Sequence, residues 1–350
     1  MSQPVDTLYY TRCAVPTPLG IAARLGWLDE EFGRDGIAFK VVVESESTAA
    51  REAHYDHSVA NLFRLGGSIP ALWAKGNGRA TRLLALSWVD EFQAIVTLPA
   101  SNIRSPRDLR GRRLGVTKHR SDFIDHERAS ALRGFFTALE LGGVALSDVQ
   151  IVDLEEERNS IAQQGDEAVS GSRFAGPKRK PSHRPLHALI RGDVDALYLK
   201  GPRGLQLVHQ LGLHVSVDLG SHPDPLVRAN NCTPRPLTVD EQLLQARPDL
   251  VQRVVARVIE AGQWATTHAA EAVHFIGIET STADAWVRYG HGNDVHASLH
   301  VDLAERSIEA LSDLKDFLVR QGFVRDFDVR GWIAPEPFGR AIAQTTRRVA

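Results

Sequence analysis

Short apolar runs rich in β-branched residues alternate with helical segments along the first two thirds of the chain. Strand-helix alternation of this kind predicts α/β architecture with mostly parallel sheets. The predicted strands are Asp6–Arg12, Phe39–Ser45, Arg82–Ser87, Gln93–Leu98, Gln150–Val152 and Asp195–Tyr198, and a capped turn at Ser105 leads into another near Val116. Helices are predicted over Leu19–Trp27 and Glu127–Leu141. Arg64-Leu-Gly-Gly-Ser-Ile-Pro70 is predicted to be a turn that opens a further helix, Ile69–Lys75.

The remainder of the chain has a different pattern. A capping-box pattern at Thr238-Val-Asp-Glu predicts that the chain turns helical there, with long helices over Asp249–His268 and Leu303–Gly322. Residues 159–185 are polar and basic, which predicts a long surface loop. Its run Lys178–Lys180 is interpreted as solvated surface, with attraction of anions toward a cleft as the alternative.

Charge and composition exclude several classes of function. The 350 residues carry a net charge of −2, so nothing indicates nucleic acid or a membrane surface as a partner. No run of about 18 apolar residues occurs and the N-terminus resembles no export signal, so we expect a cytoplasmic protein. Its two cysteines are far apart, at 13 and 232, which indicates neither a disulfide framework nor a metal site.

Cys13 lies between a predicted strand and the start of a helix. Ligand sites in α/β folds gather at the carboxyl ends of strands, and a helix N-terminus favours negative charge. Taken alone, the residue fits a reactive thiol or a buried structural one, and cytoplasmic thiols stay reduced. Cys232 has no comparable context and is interpreted as structural.

Three segments resemble the type II periplasmic-binding-protein fold, in which two lobes close over a small anion or acid. They are SPRDLRGRRLGV at 105–116, RGDVDALYL at 191–199 and the helical run at 247–268. The resemblance implies a two-lobed fold with a helical C-terminal segment. Lobe I would begin with residues 1–100, lobe II would span 101–220, and 221–350 would return to lobe I. Because ordinary members are exported, we expect an enzyme built on this scaffold.

A closer resemblance, over nearly the whole chain, is to the bacterial 2′-hydroxybiphenyl-2-sulfinate desulfinases. It begins at Cys13-Ala-Val-Pro16, passes through His54 and Arg64-Leu-Gly-Gly-Ser-Ile-Pro70, and reappears at 193–198, 247–264 and 332–336. The family's reactive cysteine falls on Cys13, its active-site histidine on His54 and its sulfinate-binding arginine on Arg64. The glycine whose backbone contributes to the family's active site falls on Gly67, and Gly66 precedes it. The resemblance implies hydrolysis of the C–S bond of an aryl sulfinate with release of sulfite, without metal or cofactor.

The second lobe departs from that family. The family's aromatic pocket wall comes from a longer segment before the helix at 127–141, and the nearest position here is His126. Tyr55 stands where the family has phenylalanine. These differences predict a smaller or more polar pocket, so the substrate is 2′-hydroxybiphenyl-2-sulfinate or a related aryl sulfinate.

The chemistry of these residue types suits a sulfinate. The planar guanidinium of Arg64 can bind two oxygens of one anion, and His54 could hold or move a proton near the thiol of Cys13. His57 is interpreted as a surface histidine in the same polar stretch. Two alternatives stay open: a non-catalytic cytoplasmic binding or sensor protein for a sulfonate or aromatic acid, and an enzyme of this scaffold that cleaves another C–S or C–C bond. The sequence indicates no oligomeric state.

Overall fold

The computed structural model describes residues 5–45, 47–119, 124–156 and 184–349. Their strands form two five-stranded sheets. The first, the sheet of lobe I, has the order β2-β1-β3-β10-β4, and the second, the sheet of lobe II, has the order β7-β6-β8-β5-β9. The strands are β1 (Thr7–Tyr10), β2 (Ala38–Val41), β3 (Leu62–Leu65), β4 (Thr81–Ser87), β5 (Gln93–Thr97), β6 (Arg113–His119), β7 (Gln150–Glu156), β8 (Ala196–Lys200), β9 (His214–Asp218) and β10 (Arg235–Asp240).

Each sheet is mostly parallel, as the alternation predicts. In lobe I only β10 runs against its neighbours β3 and β4, and in lobe II only β5 runs against β8 and β9. The chain therefore crosses between the sheets twice, after β4 and again between β9 and β10. Both crossing segments pass between the lobes, where ligands bind in folds of this type.

Helices cover both sheets. They are α1 (Pro18–Arg24), α2 (Trp27–Gly33), α3 (Thr48–Asp56), α4 (Ser68–Gly76), α5 (His126–Gly142), α6 (Arg184–Ile190), α7 (Gly201–Leu211), α8 (Pro225–Arg228), α9 (Glu241–Ala246), α10 (Pro248–Thr267), α11 (Ala269–Thr280), α12 (Asp284–His291), α13 (Glu305–Arg320), α14 (Val329–Trp332) and α15 (Glu336–Val349). Among the described helices, none is both long and apolar enough to cross a membrane.

Apolar burial holds the elements together. One core joins the sheet of lobe I to α1 and α10, through residues such as Leu8, Phe63 and Val254. A second joins α4 of lobe I to α5 and β6 of lobe II, through Leu72, Phe135 and Val116. Because the second core includes side chains from both lobes, it fixes α4 against α5 at the junction.

Two local predictions are wrong. Arg64 and Leu65 do not belong to a turn but end strand β3, which the sequence pattern did not indicate. Thr238 does not cap a helix, because it pairs with Arg64 in the sheet; the N-cap is Asp240, whose side chain accepts from the Gln242 amide. A buried strand with β-branched residues prevails over a short local capping pattern. The predicted loop at 159–185 lies almost entirely outside the described residues.

Candidate active site

Cys13 and His54 meet at the end of the first strand. Cys13 lies just after the end of β1. Between the two, the Thr11 amide donates to the Phe63 carbonyl of β3 at 3.0 Å, so the chain still runs alongside β3 there. His54 lies in the last turn of α3 rather than in a loop, and it is buried. Cys13 Sγ lies 3.7 Å from His54 Nε2. At this distance a proton can pass between thiol and imidazole.

Gly66 provides the space that the thiol occupies. A Cβ atom at this position would lie 2.1 Å from Cys13 Sγ and 3.8 Å from Arg64 Nη2. No side chain can therefore stand at residue 66 without moving the thiol. The same two distances indicate that the thiol and one end of the guanidinium border a common volume beside Gly66.

Arg64 is buried in the middle of the lobe I sheet and only 1% exposed. Its Nε donates to the His54 carbonyl at 3.3 Å and its Nη1 to the Gly67 carbonyl at 2.7 Å. Burial lowers the pKa of its guanidinium, and the acidic side chains of Cys13, Tyr55 and Cys232 oppose that shift. No carboxylate of the described residues forms a salt bridge with it, so the charge is held by backbone carbonyls alone.

The start of α4 is fastened by Asn231, a residue that the sequence did not single out. Its main-chain oxygen accepts from the Ser68 amide at 2.5 Å, and its side-chain Oδ1 accepts from the Ile69 amide at 2.9 Å. A Cβ at Gly67 would lie 2.8 Å from that Oδ1. The Ser68 and Ile69 amides therefore already donate to Asn231 and are not available to an anion. Within the described chain, the amides of Gly66 and Gly67 have no acceptor and remain available.

Tyr55 and His126 face each other from the two lobes. Tyr55 is on α3 next to His54, with ring centroids 5.0 Å apart, and its ring lies 5.8 Å from that of His126 at the start of α5. The side chain of Asp125 caps α5 by accepting from the Arg128 amide. All the predicted site residues therefore come together at one junction between the lobes.

Two sequence interpretations change at this site. His57 is not on the surface: it is buried, its Nε2 lies 3.1 Å from the Leu62 carbonyl, and burial together with the charge of Arg64 lowers its pKa to about 3. Cys232 is buried as expected, but Lys200 Nζ donates to its sulfur at 3.1 Å. No sequence signal indicates that pair, because residues 200 and 232 lie in different elements. Among the described residues, no three His, Cys, Asp or Glu side chains are grouped to hold a metal ion.

Comparisons with known proteins agree on one relationship. No protein-family model matches the chain. The 2′-hydroxybiphenyl-2-sulfinate desulfinase of Rhodococcus erythropolis is 28% identical over 354 residues, covering 95% of this chain and 92% of the relative. A crystal structure of DszB with a cysteine replaced by serine, in complex with biphenyl-2-sulfinic acid, superposes with a TM-score of 0.74 at 26% identity, covering 97% of this chain and 100% of that one.

A more distant neighbour has the same fold. The periplasmic aliphatic sulphonate binding protein SsuA from Escherichia coli superposes with a TM-score of 0.65 at 14% identity, covering 94% of this chain and 98% of that one. At this identity the likeness concerns the fold alone. The chain is therefore a homologue of the 2′-hydroxybiphenyl-2-sulfinate desulfinases, built on the two-lobed periplasmic-binding-protein-like fold.

Proposed function

We propose that the protein is a desulfinase that cleaves the C–S bond of an aryl sulfinate and releases sulfite, with Cys13 as the reactive group. One observation carries the proposal: a thiol and a buried guanidinium, which has no carboxylate partner among the described residues, border the same volume beside Gly66. A buried charge is costly unless it is compensated. A sulfinate supplies the missing negative charge and brings its carbon–sulfur bond to the thiol.

The sulfinate would be held by groups of lobe I. Within the described residues one end of Arg64 has no acceptor: Nε and Nη1 donate to carbonyls, while Nη2 borders the volume near Gly66. The amides of Gly66 and Gly67, which have no acceptor among the described residues, could add uncharged donors. Hydrogen bonds from a charged donor to an oxyanion are about twice as strong as neutral ones, so Arg64 would fix the orientation of the sulfinate.

Two routes satisfy the atom and charge balance. In the first, the Cys13 thiol protonates the carbon that bears sulfur, the C–S bonding electrons stay with the ring, and sulfur dioxide leaves and is hydrated to bisulfite. In the second, the thiolate attacks sulfur, the aryl carbon takes the proton, and water hydrolyses the resulting S-sulfinate to bisulfite and free thiol. His54, 3.7 Å from the sulfur, would return or remove the proton in either route.

The relatives support this assignment in two respects. The Rhodococcus protein is named a 2′-hydroxybiphenyl-2-sulfinate desulfinase. The neighbouring crystal structure contains biphenyl-2-sulfinic acid bound to a variant in which a cysteine had been changed to serine. Both agree with aryl sulfinates as the substrate class and with a cysteine as the group to test.

The test is release of sulfite from a panel of aryl and alkyl sulfinates by the whole chain. We expect turnover of at least one aryl sulfinate, and loss of that turnover in Cys13→Ser. The absence of sulfite from every member of the panel would overturn the assignment, and full activity of Cys13→Ser would overturn the role of the thiol.

A non-catalytic binding or sensor protein is the second candidate, since the fold is shared with sulfonate-binding proteins. The contact of Cys13 with His54 favours the enzyme, because binding an anion needs no reactive thiol. Iodoacetamide labelling separates the two. The enzyme predicts rapid alkylation of Cys13 that an aryl sulfinate suppresses, with slow alkylation of buried Cys232 as the internal control.

A further inference from the structure

Lys200 lies at the end of β8 in lobe II and reaches a buried polar cluster between the lobes. Its ammonium donates to Cys232 at 3.1 Å and lies 3.7 Å from a carboxylate oxygen of Glu91. Glu91 and Cys232 stand on the two segments that cross between the sheets. The Lys200 side chain is 27% exposed, whereas that of Glu91 is 4% exposed. Lys200 is thus the member of this cluster that solvent or a ligand can reach.

The cluster adjoins the proposed sulfinate site. Asn231, directly before Cys232, holds the amides at the start of α4 beside Gly67. Asn230, one residue earlier, donates to the Ser130 carbonyl on α5 and to the Tyr198 hydroxyl on β8, both at 3.1 Å. Lys200 on β8 and the start of α4 beside Gly67 are therefore linked through the segment Asn230–Cys232, which contacts both lobes.

The charges of the cluster do not balance. Arg235 is wholly buried, and its Nε and Nη2 have no hydrogen-bond partner among the described residues. Within the described chain, Glu91 is the one carboxylate at salt-bridge distance from Lys200, and none lies at that distance from Arg235. Burial raises the pKa of the Cys232 thiol, so the thiol is neutral near pH 7 and contributes no charge to the cluster. The described part of the cluster therefore has two cations, Lys200 and Arg235, and one carboxylate, Glu91, which leaves one positive charge in excess.

Neighbouring groups do not remove this excess. Burial lowers the pKa of His291 to about 4, so its imidazole is neutral near pH 7. Arg228 pairs with Asp90 at 2.9 Å, and Arg133 pairs with Asp313 at 2.5 Å. Among the described residues, the Lys200 ammonium makes one hydrogen bond, to a thiol, and none to an oxygen. Two of its three N–H donors remain available to a ligand.

We propose that Lys200 forms a second anion subsite, and that the preferred substrate is a dianionic aryl sulfinate with a carboxylate on the ring. The sulfinate balances Arg64, and the carboxylate balances the excess charge at Lys200. The inference rests on the proposed function for its choice of sulfinate.

The experiment measures binding, so that it does not depend on turnover. Calorimetric titration compares benzenesulfonate with 3-sulfobenzoate and 4-sulfobenzoate, in which the sulfonate stands in for the sulfinate. We expect at least one sulfobenzoate to bind about tenfold tighter than the parent sulfonate, and Lys200→Met to reduce that preference to within about twofold. Lys118→Met, an exposed lysine of lobe II, is the matched control and should keep the preference.

A second variant shifts the preference the other way. Glu91→Gln removes the carboxylate that competes for Lys200, so it should strengthen the preference for the sulfobenzoate. If Lys200→Met shows no cooperative unfolding transition and so is not properly folded, Glu91→Gln tests the subsite in its place. Equal or absent binding of the sulfobenzoates to the natural protein, or an unchanged preference in Lys200→Met, would overturn the subsite. Preferential sulfobenzoate binding without sulfite release from any sulfinate would instead overturn the proposed reaction alone.

Discussion

Cys13 Sγ and His54 Nε2 lie 3.7 Å apart, although the two residues are 41 positions apart in the chain. Strand β1 brings the thiol, and helix α3 brings the imidazole. The backbone of the same histidine accepts a hydrogen bond from Arg64 Nε at 3.3 Å. His54 thus contacts the proposed reactive group with its side chain and the proposed anion-binding group with its main chain.

Replacing the His54 side chain should reduce turnover without removing the Arg64 contact, since that contact uses the carbonyl. For His54→Asn we expect a fall in kcat of about 10² to 10⁴, the usual contribution of a general acid or base. Steady-state sulfite release is the measurement. His274→Asn, at an exposed position of α11, serves as the control. A kcat unchanged by His54→Asn would contradict the proton-transfer role.

Gly66→Ala should displace the thiol, because the new Cβ would stand 2.1 Å from Cys13 Sγ. A misplacement of about 1 Å can cost about 100-fold in rate, so we expect kcat/KM to fall by at least that factor. The control is Gly339→Ala in α15, where a Cβ meets nothing within 4 Å. Gly339→Ala should retain activity, and its free energy of unfolding should rise by roughly 0.5–1 kcal/mol. Full activity of Gly66→Ala would mean that the thiol need not occupy this position.

Asn231→Ala should weaken both stability and anion binding. It leaves the buried Ile69 amide without an acceptor, which costs about 1–3 kcal/mol, measurable by urea unfolding. The start of α4 then loosens beside Gly67, so KM should rise. Asn231→Asp separates the two effects: its carboxylate can accept from the Ile69 amide and restore stability, but its charge near Arg64 should keep KM high. Restoration of both quantities by Asp would contradict the electrostatic part of this prediction.

His57 should make the protein less stable in mild acid. The pKa of His57 is about 3 in the folded protein, against an ordinary value of 6.5. Between pH 3 and pH 6.5 the imidazole is therefore protonated in the unfolded chain and neutral in the folded protein. Stability from this group is present above about pH 6.5 and is lost as pH falls; the expected loss between pH 7 and pH 5 is about 2 kcal/mol. His57→Asn removes this titrating group, so it should reduce the dependence of unfolding free energy on pH, and buried His291 accounts for part of the remainder. Asparagine is the replacement because it tolerates the left-handed backbone at this position, where φ is 55°. An equal slope in both proteins would contradict the assignment.

The sequence predicts the fold class well because strand-helix alternation is a local signal. Strands β1, β4 and β5 and helices α5, α10 and α13 lie close to their predicted positions. It fails at β3 and β10, where short buried strands owe their conformation to pairing with each other rather than to a local pattern. The candidate site follows a similar division. Cys13, His54, Arg64, Gly66 and Gly67 were identified through resemblance, and the structure brings them together.

By itself the sequence determined the α/β class, the two-lobed resemblance and the residue types of the proposed sulfinate site. Only the tertiary structure decided what surrounds them. It buried His57 within the influence of the Arg64 charge, held the start of α4 with Asn231, and brought Lys200 against Cys232. These relationships join residues from separate strands, helices and crossing segments. Their physical basis is burial and charge compensation at the junction between the lobes, which no local pattern in the chain encodes.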